Sequence, residues 1–536
     1  MEPHLRGSSS SVIANIDRAK LLARAIKSQR SPSWPTPPTR DIPPKQVCEK
    51  LVSCYLRTIE TVYRVLHVPS FQRDFEELWV AGHEPSMAFI VLLKLVLAIG
   101  ATIHDENFSM RTEAIRWVYE AQTWLSSPTF KSRLGIQYLQ MSILLLIARE
   151  LVDVGSEMVW ISVGSVYRAA VYIGLHKDPA HLPQMTVFEA EMRRRIWNTI
   201  LEVSLQTSLE SGGPTFISLE DFDTEPPGNF NDDQLTTGKP AAQSNSVHTQ
   251  SSISIALRDT LPARLTVVKC LNDRSPNGTY EETLRIDTAL RGAYKTLRRT
   301  LQTYTAIEGL PPPTFALQAI DFIMQRYISS LHVPFFGPSL YDPVYAFSRK
   351  AILDSSLKIW NATKSDFGIP DEGDFARLCR CGAGFFRAFA FHASTFLGVE
   401  IRTQIQDDGD LNSIHLYSNL FSILEDAASW YLQSMEAGET GVKGYILLKL
   451  IAAQVDATKQ HVQQSELPRL LVKAAESAVE KCIPILETMA SQGRANGSEG
   501  SSECFDLQVS SDFVEDWDMV MSDIFSFGDQ GTYNTF

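Results

Sequence analysis

An all-α fold is predicted by three features of the sequence. Apolar residues recur at helical spacing over most of the chain, no alternating strand–helix rhythm accompanies them, and two runs, 135–151 and 158–173, are apolar nearly all round, as interior helices are.

The first 45 residues hold eight Lys or Arg against three acids. The stretch 31–44, SPSWPTPPTRDIPP, is an extended linker, because proline fixes φ and removes donors. Ahead of it Val12, Ile13, Ile16, Leu22 and Ile26 fall roughly on one side, a pattern that pairs with another helix or frays. Residues 1–44 as a whole are expected to be a basic, Pro-rich disordered segment.

From residue 45 a single helical body is expected to run to 490. Tyr55, Ile59, Val62, Tyr63 and Leu66 form one stripe, which Pro69 should stop. The run Ala88–Ile103 carries Lys94 and falls short of a bilayer span, so a buried helix is expected. In the helix over 158–173, Gly164, Ser165, Ala169 and Ala170 allow close neighbours, and Gly174 is its C-cap residue. Thr186 and Glu189 form a capping box that starts a helix at Val187, with Met192, Ile196, Ile200 and Val203 as its buried stripe. Further helices are expected near 284–304, 315–332, 343–362, 374–401, 412–436, 441–458 and 467–490. The polar stretch 228–252 is expected to be a flexible loop.

Residues 491–536 form an acidic tail. From 495 onward it holds nine acids and no Lys or Arg. Within DFVEDWDMVMSDIFSF, Phe513, Trp517, Val520, Ile524 and Phe525 recur at helical spacing, a pattern suited to folding into a partner's apolar groove.

The net charge of −13 argues against a surface built to hold phosphate backbones. Seven cysteines without framework spacing read as reduced intracellular thiols, and the first twenty residues show no apolar signal-peptide core. The chemical question centres on 174–200, where Arg193, Arg194 and Arg195 adjoin His176, His181 and several acids. Glu189 with Arg193 and Glu191 with Arg195 are i, i+4 pairs, so structural pairing is preferred over a phosphate or substrate grip. Two loop histidines without a third ligand make a poor metal site, and Cys379, Cys381 and His392 lie in an apolar helix that suits buried thiols. The GxSxG, P-loop and GxGxxG patterns are absent, so no catalytic or metal residues are assigned.

GLHKDP (174–179), FEAEMRRRIW (188–197), GGP (212–214) and EDFDTEPPGNFND (220–232), with LHVPSFQRDFEELW (66–79) upstream and LHVPFF and YAFSRKAILDSSLKIW downstream, resemble the fungal-specific transcription factor domain. This is the regulatory region that follows the zinc cluster in fungal binuclear zinc cluster regulators. The resemblance implies a superhelical body of antiparallel helices. It also implies a set of signature positions: His67, Pro69, Phe71, Gly174, His176, Asp178, Pro179, Glu189, Glu191, Arg193, Arg194, Arg195, Trp197, Gly212, Pro214, Asp223, Pro227, Asn231 and Asp232. Asn198, Ser204 and Val333 depart from the family's usual residues.

The zinc cluster needs six closely spaced cysteines, and the first 45 residues contain none, so the chain as given is expected to carry no zinc and no cofactor. The function implied is a nuclear transcription regulator controlling a metabolic or secondary-metabolite gene cluster. Its partners would be coactivator machinery reached through the tail, a related factor or a second copy, a small-molecule effector, and DNA only through an upstream zinc cluster; no membrane is implied. Two alternatives stand beside it: an accessory co-regulator that never touches DNA, and an all-α enzyme or small-molecule binder with a pocket near His176, Arg193 and Trp197.

Overall fold

The computed structural model describes residues 12–82, 84–127, 134–236, 240–273, 279–306, 311–364, 373–407 and 414–496. Among the described residues there are helices and loops and no strand. In chain order the helices are α1 Val12–Arg30, α2 Lys45–Arg57, α3 Ile59–Val62, α4 Val68–Glu77, α5 Met87–His104, α6 Arg111–Ser126, α7 Ile136–Val152, α8 Val159–Tyr172, α9 Val187–Ser211 and α10 Ser252–Arg258. They continue as α11 Leu261–Asn272, α12 Tyr280–Ala306, α13 Thr314–His332, α14 Phe336–Ser339, α15 Ala346–Ala362, α16 Asp374–Cys381, α17 Phe385–Asp407, α18 Ile414–Glu436, α19 Lys443–Lys459 and α20 Leu467–Asn496. The chain separates into two compact units.

The larger unit comprises Ser31–His332 and Asp354–Ala393. Its centre is α5, buried on every side, against which α2, α6 and α7 pack. By length and composition α5 is apolar enough to cross a membrane, but it is enclosed by its neighbours as a core helix. Gly100 explains how closely α2 approaches, since a Cβ there would collide with the backbone of Leu51. Lys94 is the one cation in this apolar helix, and all three of its donors are used: Glu120 Oε2 at 2.5 Å, Thr39 O at 2.7 Å and Thr39 Oγ1 at 2.9 Å.

Those bonds correct the expectation for the linker. Residues 31–44 are extended but anchored, because Thr36 N–H donates to Thr123 Oγ1 (3.1 Å) and Thr39 N–H to Glu120 (3.1 Å). Pro69 also differs from expectation: the chain breaks earlier, at Thr58 and after Val62, and Pro69 lies in the first turn of α4, where its missing N–H costs nothing. The helix expected over 374–401 is two helices, interrupted at Gly382 and Gly384.

The smaller unit comprises Met1–Arg30, Val333–Leu353 and Ser394–Phe536. Here α1 is a helix and not a disordered segment. Val12, Ala19 and Ile26, seven residues apart, are buried in a core with Leu471, Val479, Cys482 and Leu486 of α20 and Tyr445 and Leu450 of α19. Burial of this stripe outweighs the weak propensity of an isolated short helix. Residues 513–525 of the acidic tail lie outside the described residues.

Candidate functional site

The site is built on α9. Thr186 Oγ1 accepts from the Glu189 N–H (3.1 Å) while Glu189 accepts from the Thr186 N–H (2.9 Å), so the expected capping box is present and α9 starts at Val187. Successive helical residues are about 100° apart, so three adjacent arginines point three ways. Arg193 Nη2 donates to the carbonyls of Ile173 (3.0 Å) and Gly174 (2.8 Å), capping the end of α8. Gly174, at φ +79, makes this closure possible: Gly174 N–H bonds Val171 O and Leu175 N–H bonds Ala170 O. Arg194 grips Asp178 with two bonds, 2.9 and 2.7 Å, and Glu191 with a third at 2.8 Å. Arg195, fully buried, reaches Asp232 Oδ1 at 2.6 Å and Ser251 Oγ at 3.1 Å.

The expected pairs Glu189–Arg193 and Glu191–Arg195 are therefore corrected. Glu189 is occupied by the cap, Glu191 binds Arg194 and the Gly228 N–H (2.7 Å), and the two outer arginines leave the helix for loop partners. For Glu189, exposed at the start of α9, a pair with Arg193 would contribute only about 0.3–0.5 kcal/mol, less than the cap it forms instead.

Asp232 is the hub. Besides Arg195 it accepts from Arg64 Nη2 (2.5 Å) and the Val68 N–H (2.9 Å), and its carbonyl meets His67 Nε2 at 2.9 Å. Burial alone would raise its carboxyl, but Arg64 and Arg195 outweigh that and hold it at about 2. Arg64 also faces Glu60 at 3.4 Å, whose buried carboxyl is pushed up to about 7 against the pull of Arg64 and the Tyr55 hydroxyl. His67 caps α4 through Ser70, its ring lying edge-on to Phe188. Phe71 is buried against Phe75 and Phe89. The first signature segment is thus fastened to the last.

A second cluster forms the rim. Asp178 accepts from Ala180 N–H (2.9 Å) and Glu225 N–H (3.1 Å) as well as Arg194; burial opposes its ionisation, yet these bonds hold it at about 2. Asp223 accepts from the Asp178 N–H (2.7 Å) and sits 2.8 Å from His181 Nδ1, both side chains exposed. Its own N–H bonds the His176 carbonyl (3.1 Å), while His176 Nδ1 is buried without a partner among the described residues. Pro179 and Pro227 are buried, Gly212 ends α9 at φ +64, and Pro214 follows it on the surface. Trp197 is enclosed by Tyr167 and Phe222 at 5.2 and 5.6 Å between centroids.

The stretch 228–252, expected to be flexible, is folded in its described residues. Asn229 organises it: Nδ2 donates to the carbonyls of Ser244 and Val247 (both 2.8 Å) and Oδ1 accepts from Thr249 (2.7 Å) and Ser252 (2.8 Å). Asn231 accepts from the Gln250 N–H (3.1 Å). Its polarity serves an internal network instead of hydration. Sequence reasoning missed Asn229, Arg64, and the buried pair Arg264–Glu202, two bonds of 2.6 and 2.7 Å between α11 and α9. Nothing in local spacing marks them, since their partners are remote.

Cys379 and Cys381 are fully buried in α16, and burial pushes both thiols up. His392 is pushed down to about 4 by burial and then by the charge of Arg326. Among the described residues no three His, Cys, Asp or Glu side chains are grouped to hold a metal. The ionic groups around α9 are arranged to brace: each arginine ties one loop or helix end to the same helix.

This bracing defines a helical scaffold in which His67, the 174–195 segment and the 223–232 segment are tied to the N-terminal half of α9, while Gly212 and Pro214 lie at its far end. Residues 52–274, which contain the whole site, match the fungal specific transcription factor domain. It is 33% identical over 526 residues to the transcription factor opdR of Penicillium oxalicum, covering 91% of this chain and 65% of that one. It is 31% identical over 492 residues to the transcription factor lepE of Aspergillus flavus, covering 88% and 59%. The aspyridones cluster regulator apdR of Emericella nidulans is 26% identical over 441 residues, covering 79% and 58%. The chain thus spans roughly three-fifths of the length of these relatives. No solved structure matches it.

Proposed function

We propose that the chain is the regulatory body of a fungal transcription regulator that acts in the nucleus on a metabolic or secondary-metabolite gene cluster. The observation that carries this reading is the coincidence of the domain match over 52–274 with the two ionic clusters, Asp232 with Arg195 and Asp178 with Arg194, that lock α9 to the loops around it. The relatives support the choice of target, one being named for an aspyridones cluster and another, 27% identical over 345 residues, for an equisetin cluster in Fusarium heterosporum. The role is regulatory and not catalytic, because the charged groups of the site are engaged with one another.

In this reading the coactivator contact is made by Phe513, Trp517, Val520, Ile524 and Phe525. DNA is reached through a zinc cluster or a partner that carries one. Fusing the chain to a heterologous DNA-binding domain should activate a reporter, and deleting 505–527 should abolish that activity. A reporter indifferent to the fusion would sink the regulatory reading, whereas activity that survives the deletion would sink only the role of the tail.

A further inference from the structure

The chain leaves α1 through RSPSWP, residues 30–35. Ser31, Ser33, Trp34 and Pro35 are exposed, Trp34 by 57%, before the Thr36 N–H fastens the chain to Thr123 of α6. Ser33 uses its carbonyl to accept the Thr36 hydroxyl at 2.6 Å, whereas its own hydroxyl bonds nothing among the described residues. Pro32 and Pro35 fix φ on either side of it. A side chain so placed can take on a bulky group without disturbing a buried contact.

The charge around Ser33 is unlike that of the rest of the chain. Residues 18–40 hold six Lys or Arg and no acid, in a protein of net charge −13. Lys27 and Arg30 occupy the last turn of α1, six and three residues ahead of Ser33. Arg30 bonds neutral groups, the Gly438 carbonyl at 2.7 Å and the Met489 sulfur at 3.3 Å. It does so from a helix end, the part of a helix that opens most readily. A guanidinium three residues before an exposed serine is what the acidic cleft of a basophilic protein kinase reads, and Trp34 after Ser33 excludes a proline-directed enzyme.

We infer that Ser33 is a phosphorylation site and that its phosphoserine docks a partner protein presenting an arginine cluster. In the transfer, Ser33 Oγ attacks the γ-phosphorus of ATP, the bond to the β–γ bridging oxygen breaks, ADP leaves, and the hydroxyl proton passes to the kinase's carboxylate base. The product carries a charge of about −1.5 to −2 and three strong acceptor oxygens. It stands in the pattern Arg-Ser-x-Ser-x-Pro, which modules of the 14-3-3 kind bind in extended form with arginines around the phosphate. The inference does not depend on the regulatory reading, and either can fail alone.

The test uses the full chain, with phosphoserine installed at position 33 during translation and a purified 14-3-3 protein as the probe. Calorimetry should give a Kd of about 10 μM or tighter, at least about thirtyfold tighter than for the unmodified chain. Separately, cAMP-dependent protein kinase with ATP should place phosphate on Ser33, located by mass spectrometry. Ser31→Ala should leave that product intact, and Ser33→Ala should remove it. Phosphate on Ser31 in place of Ser33, or none at either, would overturn the assignment of the site. Equal binding of the modified and unmodified chains would overturn the docking, even if a phosphorylated peptide of residues 28–38 bound the probe, because the fold would then conceal the motif.

Discussion

Asp232 and Asp223 stand nine residues apart in one loop, and both belong to the signature stretch, yet they do different work. Asp232 is 1% exposed and lies between two guanidiniums; Asp223 is half exposed beside His181. Both carboxyls are lowered, Asp232 by Arg64 and Arg195 against burial and Asp223 chiefly by the Asp178 N–H. What separates them is solvent. A buried acid between cations has no substitute partner if its charge is removed, whereas an exposed one has water.

The largest test of that contrast is Asp232→Asn, which keeps the shape and leaves Arg64 and Arg195 facing each other without a counter-charge. It should cost about 3–5 kcal/mol in urea unfolding. A loss below 1 kcal/mol would mean the hub is not load-carrying. Next comes Arg194→Met, which frees the Asp178 carboxylate, with an expected cost of about 2 kcal/mol. Acid titration sharpens the comparison. Asp232 is depressed in the fold to about 2, so its contribution of about 2 kcal/mol is present above the unfolded carboxyl value and lost as pH falls toward 2. Asp232→Asn should flatten that part of the stability profile.

Glu60 has the opposite sign. Raised in the fold to about 7, it holds its proton more tightly when folded, so stability should increase as pH is lowered from 7 toward 4.5, and Glu60→Gln should erase that slope. Thr186→Ala should cost about 1 kcal/mol through the lost cap. Smallest of all, His181→Ala should leave the urea midpoint unchanged within error, and a marked shift would show that the exposed rim is held as firmly as the hub.

Much of the fold was legible because it rests on periodicity. The start of α9, its buried stripe Met192, Ile196, Ile200 and Val203, and the closure at Gly174 all follow from local spacing, and the structure has each of them. The partners of the arginines were not legible for the same reason. Arg195 is four residues from Glu191 but bonds an acid 37 positions away, and Arg64 bonds that acid across 168. Helical spacing says which residues share a face and nothing about which loop will cover it. Asn229 shows the converse failure: polar composition suggests hydration, but four hydrogen bonds from one amide fold the stretch inward. The arginines near 174–200 were expected to form exposed intrahelical pairs, whereas Arg193 and Arg195 bond loop and helix-end groups remote in sequence.

The position of the hub also decides where this domain can be divided. Both guanidiniums that hold Asp232 precede it in the chain, so a cut anywhere between Gly212 and Gly228 places two buried cations on one fragment and their shared anion on the other. Neither piece can fold by itself without stranding charge in its interior. Split-reporter designs and truncation series should therefore keep Arg64 through Asp232 on one polypeptide.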